Sequence, residues 1–488
     1  MKLTSAQRAV ITPERGHLLV DAGAGSGKTT TVVQALCHQL GVSVADDGAA
    51  LPPVTSPLSF EQVAAITFTN QAAADLKRKL RHALRIGGRR DLSAEVDSAR
   101  IGTIHGFCGD LLRDFALRSG ARPGRRVLEE GEASALAGDC ALDALHAAIA
   151  HQDVEGLDTL LAGRKLKNVG EWVTTLSSDA DRLARLADGR DALRDHERAL
   201  LDIAERAVTL RTDRLDRDGL LDFDRMIVAV RDMLLDDAVR HAAQQQIRLL
   251  VLDEFQDVDP TQRDIAFLLG GLAFVDPAPS RLILVGDPKQ SIYRFRRADV
   301  TLWNEVAAHF AEGAGTTQPM QENFRSKAAI LGLVDDFVGT ALQKAVAASG
   351  ERQPFEVDYA SLIPKADHHQ GDHAVEFLTV VAADDGKQRK VADVRSVEAF
   401  EVARRIEELH KEGTAYGDVA ILLAGWGAAE TYTDALRSAG IPYYTLRSEG
   451  FWEEREIIDC LLALRAIRDI TDDVAVAGYL KSPFVGVR

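Results

Sequence analysis

What this chain lacks narrows its class before any motif is read. It has no run of eighteen apolar residues, so no segment is expected to span a bilayer. The opening MKLTSAQRAVITPERG has no apolar centre of the kind a secretory signal carries. Cysteine is scarce: Cys37, Cys108, Cys140 and Cys460 are scattered, without the close pairing of a zinc or iron–sulfur site. They are expected to be buried, reduced thiols of a cytoplasmic protein. An excess of positive charge is also missing. The net charge of −16 argues against a broadly basic, DNA-coating surface. It leaves room for a local basic channel, because screening makes nearby charge outweigh the total. No repeat recurs at a fixed spacing.

What is present is ample apolar material. The 488 residues are 46% hydrophobic and 27% charged, enough for roughly two to four domains with real cores. One stretch organises the rest, HLLVDAGAGSGKTT at residues 17–30. The apolar run from His17 to Val20 predicts a buried strand. A glycine-rich turn follows, with Gly23, Gly25 and Gly27. Val32, Val33, Leu36 and Leu40 then fall on one face of a helix. Strand, glycine loop, Lys-Thr and helix make the phosphate-binding pattern of nucleoside triphosphatases. Glycines let consecutive N–H groups converge on a phosphate, and the helix N-terminus adds positive potential. Lys28 would reach the β- and γ-phosphates, and the Thr29 hydroxyl would ligate Mg²⁺. The general pattern asks for glycine where Ala22 stands.

Polar residues recur at the ends of apolar strands further on, where open α/β sheets bind ligands. Val63 to Phe68 reads as such a strand, followed by Thr69, Asn70 and a helix. Residues 100–115 repeat the arrangement with Thr103 and His105 at the strand end. By themselves these fit ordinary strand–helix turns, and a lone histidine there reads as structural. Gln7 fits either a solvated helix residue or an amide that reads an adenine edge. IRLLVLDEFQD, residues 247–257, ends in Asp253 and Glu254. Acidic groups at the end of a buried strand are costly unless they have a task. Downstream of a phosphate loop, Asp253 would hold Mg²⁺ and Glu254 would orient and deprotonate the attacking water. In RLILVGDPKQSIYRFRRAD, residues 281–299, Gln290 is placed to sense a γ-phosphate. Tyr293, Arg294, Phe295 and Arg296 interleave aromatic and basic groups, as a single-stranded nucleic acid would require, though aromatics also fill cores.

Residues 41–60 read as a flexible insertion, and residues 130–245 as helical. Asp222 and Asp224 read as solvated or capping. The C-terminal part predicts a second α/β domain without a second phosphate loop. Its expected strands are 373–382, 417–425 and 441–447, with an amphipathic helix over 396–413.

These motifs, in this order, resemble the UvrD-like superfamily-one helicases over nearly the whole chain. LTSAQR resembles the family's adenine-reading motif, which gives Gln7 that role. AGAGSGKT resembles the family's loop, which begins with alanine. That implies a nucleotide site of Ala22, Gly23, Ala24, Gly25, Ser26, Gly27, Lys28, Thr29 and Thr30. ITFTNQAAADLKRKL and GTIHGFC resemble strand-contacting motifs, implying DNA contacts from Phe68, Thr69, Asn70, Thr103 and His105. LDEFQDVDPTQ resembles the Mg²⁺ and base motif. GDPKQSIYRFRRAD is similar to the RecB and AddA branch, implying DNA contacts from Tyr293, Phe295 and Arg296. QENFRS resembles the start of the second motor domain; by position Phe324 would stack on adenine and Arg325 would be an arginine finger. EGFWEEREIIDCLLALR, residues 449–465, resembles the lead into a second helical insertion.

The resemblance implies an α/β fold. A RecA-like ATP-binding domain at 1–115 and 241–316 would be interrupted by a helical insertion at 116–240. A partial second RecA-like domain would occupy 317–465, and the start of a second insertion 466–488. It implies ATP- and Mg²⁺-driven 3′ to 5′ movement on single-stranded DNA, in repair or recombination. Two later motor motifs of the family, one carrying a second arginine for the γ-phosphate, are not found before Arg488, and neither is a nuclease domain. The chain therefore resembles the first half to two-thirds of such a motor, or a shortened relative. A working helicase and an ATP- and DNA-binding fragment or accessory subunit unable to unwind alone both remain open. A phosphate-loop switch without a DNA role fits GDPKQSIYRFRRAD poorly. The expected partners are single-stranded or tailed duplex DNA and helicase–nuclease or accessory subunits, with no membrane.

Overall fold

The computed structural model describes residues 2–13, 16–43, 45–46, 49–116, 125–178, 183, 186–272, 281–343, 353–365, 375–381, 390–445 and 455–486. They form two compact units, Met1–Val375 and Glu376–Arg488.

The first unit is built on a six-stranded, all-parallel sheet. Its strands are β1 (His17–Ala22), β2 (Val63–Thr67), β3 (Arg100–Thr103), β4 (Leu249–Leu252), β5 (Arg281–Gly286) and β6 (Gly315–Met320). Their order is β6-β1-β5-β4-β2-β3. Strand residues alternate between two cores, as a pleated strand covered on both faces must. Leu19, Ala64, Ile66, Leu250, Leu252, Leu282 and Leu284 face one core. Leu18, Val20, Val63, Ala65, Leu249, Val251, Ile283 and Val285 face the other. Helices α1 (Ser5–Ile11), α2 (Lys28–Gln39) and α3 (Asn70–Ile86) cover the second core. Helix α4 (Ile104–Phe115) belongs to the first.

The insertion has its own core. Helices α5 (Glu130–His151), α6 (Leu166–Ser177) and α7 (Asp195–Asp218) pack through Ala141, Ala144, Leu145, Ala148, Val169, Val173, Ala199, Ile203, Ala204 and Ala207. Alanine at so many of these positions lets the helices approach closely. A two-residue parallel ladder, Arg126–Val127 on Leu220–Leu221, closes the insertion. That ladder lies ahead of the expected end at 240. Helix α8 (Phe223–Leu235) places Met226, Ile227 and Val230 in the nucleotide-domain core. Asp222 caps that helix, accepting from the Arg225 N–H at 2.9 Å. Helices α9 (Asp237–Gln246), α10 (Pro260–Gly270) and α11 (Thr301–His309) complete that core.

The expected boundary at 316/317 falls inside β6. Residues 315–320 pair with β1 over its whole length, His17 opposite Gly315 and Ala22 opposite Met320. The sequence GTTQPM hides this strand, because its side chains are largely exposed at the sheet edge and Pro319 is tolerated there.

In the second unit, α12 (Val391–Lys411) packs on α13 (Ala429–Ser438) through Ala403, Ile406, Leu436 and Ile441. Helices α14 (Arg455–Arg468) and α15 (Asp473–Lys481) follow, joined by an Arg465–Asp472 ion pair at 2.7 Å. None of the three strands expected here forms among the described residues. Described residues 375–381, 417–425 and 441–445 carry no ladder, while 373–374, 382 and 446–447 lie outside the described residues. An apolar run supplies the propensity for a strand but not its neighbour. Leu422 is 94% exposed, and no ladder partner for it occurs among the described residues.

The cysteines are all free, but only Cys37, Cys108 and Cys140 are buried; Cys460 is exposed, against expectation. No helix among the described residues is long and apolar enough to cross a membrane.

One half-buried histidine makes the fold sensitive to acid. His17 Nδ1 accepts the Leu282 N–H at 3.1 Å, tying β1 to β5. Burial first, then Arg281 and His309, lower its pKa from 6.5 to about 4. The unfolded chain thus takes up the proton first. The stability this bond contributes is intact above pH 6.5 and is lost as pH falls toward 4. After allowance for partial exposure, we expect about 1 kcal/mol lost by pH 5. His17→Asn keeps an acceptor without a titrating ring. Its urea midpoint should fall less than the parent's between pH 7 and pH 5; equal slopes would remove His17 as the cause.

Candidate functional site

The site lies at the carboxyl ends of the strands, where the chain leaves the sheet in polar loops. The loop after β1 turns through left-handed backbone at Gly25 (φ 73°) and Gly27 (φ 84°), and Gly27 caps α2. Gly25 is also a contact. A Cβ there would lie 2.8 Å from both Arg325 Cβ and Asn323 Nδ2. Segment 323–325 is pinned on the loop: Asn323 Nδ2 donates to the Ala24 carbonyl at 2.6 Å, and the Phe324 N–H to the Gly25 carbonyl at 2.9 Å. Asn323 Oδ1 accepts from the Arg325 and Ser326 N–H groups. Ala22 is buried, and the Gly23 N–H donates to the Met320 carbonyl. Ser26 is 2% exposed and its Oγ has no partner, an orphan polar atom inside the loop. A phosphate fits this loop, because left-handed glycines and a partnerless hydroxyl surround a helix N-terminus. Thr29 and Thr30 sit in the first turn of α2, Thr30 exposed.

Lys28 Nζ lies 3.3 Å from Glu254 Oε2. Glu254 itself has left-handed backbone, φ 55°, a conformation that a non-glycine residue holds only when its surroundings impose it. The Asp253 Oδ1 accepts the Glu254 N–H at 3.1 Å. Burial, and next the Glu254 carboxylate, push Asp253 up to about 6. The same two causes push Asp257 up to about 6. A divalent cation would relieve the crowding at Asp253, so the donor set fits Mg²⁺.

Gln7 is buried rather than solvated. It forms a reciprocal cap with Thr4, and its Nε2 donates to the Ser26 carbonyl at 3.4 Å. One amide hydrogen and one lone pair remain for a ligand. Gln290 is exposed and turned onto Asp287, Nε2 to Oδ2 at 2.7 Å. Phe324 and Arg325 are exposed beside the loop.

A second group gathers around an aromatic cluster. Tyr293 lies 4.8 Å from Phe68 and 5.8 Å from Phe295, centroid to centroid. Phe295 is 77% exposed. Thr69 and Thr103 have capping roles, accepting the Ala72 N–H at 3.1 Å and the Gly106 N–H at 3.4 Å. Asn70 opens α3. The His105 ring lies 4.7 Å from Phe223, and burial lowers its pKa against the pull of Asp224. The Arg296 side chain lies outside the described residues. A cavity of about 370 Å³ has Phe68, Thr69, His105, Phe295, Asp253 and Glu254 among its lining residues. The acidic pair Asp253 and Glu254 and part of the aromatic group thus open into one cavity.

Three contributors could not be picked out from the sequence. Asn323 is signalled only by lying in QENFRS. Gln256 and Asp287 are buried polar residues next to better-known ones, and nothing in their spacing shows that they bond each other.

Two family models match the chain. The UvrD/REP helicase N-terminal domain covers residues 3–311, and the UvrD-like helicase C-terminal domain residues 319–488. The chain is 27% identical to the ATP-dependent DNA helicase UvrD2 of Mycobacterium tuberculosis, over 98% of this chain and 60% of that protein. It is 24% identical to DNA helicase II of Haemophilus influenzae, over 99% of this chain and 57% of that protein. It is 27% identical to an ATP-dependent helicase/nuclease subunit of Listeria welshimeri, over 56% of this chain and 24% of that protein. The chain spans no more than 60% of the length of any of these three.

Proposed function

Because this chain belongs to the UvrD-like helicase family, we propose that it hydrolyses ATP with Mg²⁺ and couples hydrolysis to 3′ to 5′ movement on single-stranded DNA. The observation that carries the reading is the glycine loop with its buried, partnerless Ser26 hydroxyl and Lys28 3.3 Å from Glu254. In this reading residues 22–30 hold the phosphates, while Gln7 and Phe324 hold the adenine. Thr29 and Asp253 would hold Mg²⁺, which supplies charge neutralisation at the β- and γ-oxygens. Lys28 leaves Glu254 for the γ-phosphate. Glu254 then accepts the proton of the attacking water, and Gln290 and Arg325 serve the γ-phosphate. The division we propose is a first RecA-like domain at 1–115 and 241–316, a helical insertion at 116–240, a partial second RecA-like domain at 317–465 and the start of a second insertion at 466–488.

Phe68, Tyr293 and Phe295 are the proposed stacking platform, flanked by Thr69, Asn70, Thr103, His105 and Arg296. We place this activity in DNA repair or recombination in the cytoplasm, and tailed duplexes or helicase–nuclease subunits are the partners to seek. The test is the ATPase rate of the chain with and without a single-stranded oligonucleotide. No ATPase in either condition would defeat the reading.

Tyr293→Ala should weaken single-stranded DNA binding by about 1–3 kcal/mol, about 5- to 150-fold, the worth of one base–aromatic stack. ATP affinity without DNA should hardly move. Normal DNA affinity with a lowered melting temperature would assign the ring to internal packing with Phe68 instead.

A further inference from the structure

Gln256, 2% exposed, spends both ends of its amide at the site. Its Nε2 donates to Glu254 Oε2 at 2.8 Å and to Asp257 Oδ2 at 3.3 Å. Its Oε1 accepts the Asp287 N–H at 2.9 Å, and its backbone carbonyl accepts the Ser291 hydroxyl at 3.1 Å. The approach is so close that residue 286 must be glycine. A Cβ on Gly286 would lie 2.4 Å from Gln256 Oε1. Asp287 in turn holds Gln290 through its other oxygen. Two residues beyond Ser291 stands Tyr293, against Phe68 and Phe295. The end of β4 and the loop after β5 are thus joined through one side chain.

We propose that Gln256 is a positioning residue that holds Glu254 when Lys28 turns to the γ-phosphate and ties the orientation of that carboxylate to the Ser291–Phe295 loop. The inference rests on the hydrolase reading above. Glu254 Oε2 has two donors, Lys28 at 3.3 Å and Gln256 at 2.8 Å. A bound γ-phosphate takes the first away and leaves the second. A strand stacked on Tyr293 and Phe295 constrains the loop that Gln256 grips. That constraint passes through Gln256 to Glu254, which is how DNA would accelerate hydrolysis without touching ATP. A base displaced by about 1 Å loses on the order of 10²-fold in rate.

Gln256→Leu keeps the bulk and removes all three bonds of the side-chain amide. With a thymidine oligonucleotide present, kcat should fall about 10- to 100-fold. KM, oligonucleotide affinity and the affinity for a fluorescent non-hydrolysable ATP analogue should stay within about threefold. Without DNA, kcat should fall by a smaller factor, so that stimulation shrinks relative to the parent. An equal fall with and without DNA would overturn the tie to the loop, and an unchanged kcat would overturn the positioning role. If the variant no longer binds the analogue, Ser291→Ala decides, because it cuts only the bond to the Gln256 carbonyl. It should lower stimulation and leave both affinities intact; full stimulation overturns the proposal. A parent chain without any ATPase would defeat the hydrolase reading itself and the inference with it.

Discussion

Lys28→Ala should reduce ATP turnover by at least about 10²–10³-fold, the range seen when one positioned donor is removed from a developing charge. The side chain stands at the first position of α2, after a left-handed glycine, and is 14% exposed. It contributes to no apolar core, so the fold should survive. Its removal takes away the one cation that the loop itself supplies to the β- and γ-phosphates. The α2 N-terminus and the loop N–H groups remain, so weakened nucleotide binding should persist. The measurement is steady-state ATPase alongside titration with a fluorescent ATP analogue, with melting temperature as the control. Wild-type turnover in a folded variant would show that the glycine loop is not the phosphate site.

Glu254→Gln should lower turnover by about 10²–10⁴-fold, the usual contribution of a general base, while nucleotide stays bound. The amide keeps the shape of the carboxylate but cannot take a proton. The structure adds a sign to the binding. Lys28 is paired with Glu254, and this pair has to open before the lysine can meet a phosphate. Neutralising residue 254 removes that competition. The analogue should therefore bind as well as to the parent, or more tightly. A variant that turns over normally would exclude Glu254 as the base. A variant that fails to bind would mean the carboxylate shapes the pocket instead.

The site was legible where chemistry and periodicity coincide. The β1 strand, glycine loop and α2 helix could be read because a buried apolar run, left-handed glycines and a helical stripe are each local. Asp253 and Glu254 could be read because carboxylates at the end of LLVL conflict with burial. What could not be read depends on neighbours far away in the chain. Strand β6 carries exposed threonines and a proline, and only its pairing with β1 makes it a strand. Asn323 and Gln256 look like any polar residues until the loops they bridge are brought together. The opposite error occurred at 417–425, where ILL promised a strand and no ladder forms among the described residues. Gln7 shows a third case. A helical glutamine reads as solvated, and its burial follows from where α1 packs.

The parallel pairing of His17 with Gly315 also has a consequence for biosynthesis. At roughly 5–20 residues per second, about 15–60 s separate the emergence of β1 from that of β6. The order of the sheet makes the delay general, because β1 sits between β5 and β6 and neither comes early. Until β5 emerges, Leu18, Leu19 and Val20 have no strand beside them. Long-range parallel pairing of this kind folds slowly and exposes aggregation-prone edges. The insertion helices, whose core closes within residues 141–207, can fold on the ribosome while the strands on either side still wait. Nascent chains should therefore occupy ribosome-associated chaperones while residues 17–320 are made, and should become protease-resistant in the nucleotide domain only after residue 320 has left the exit tunnel.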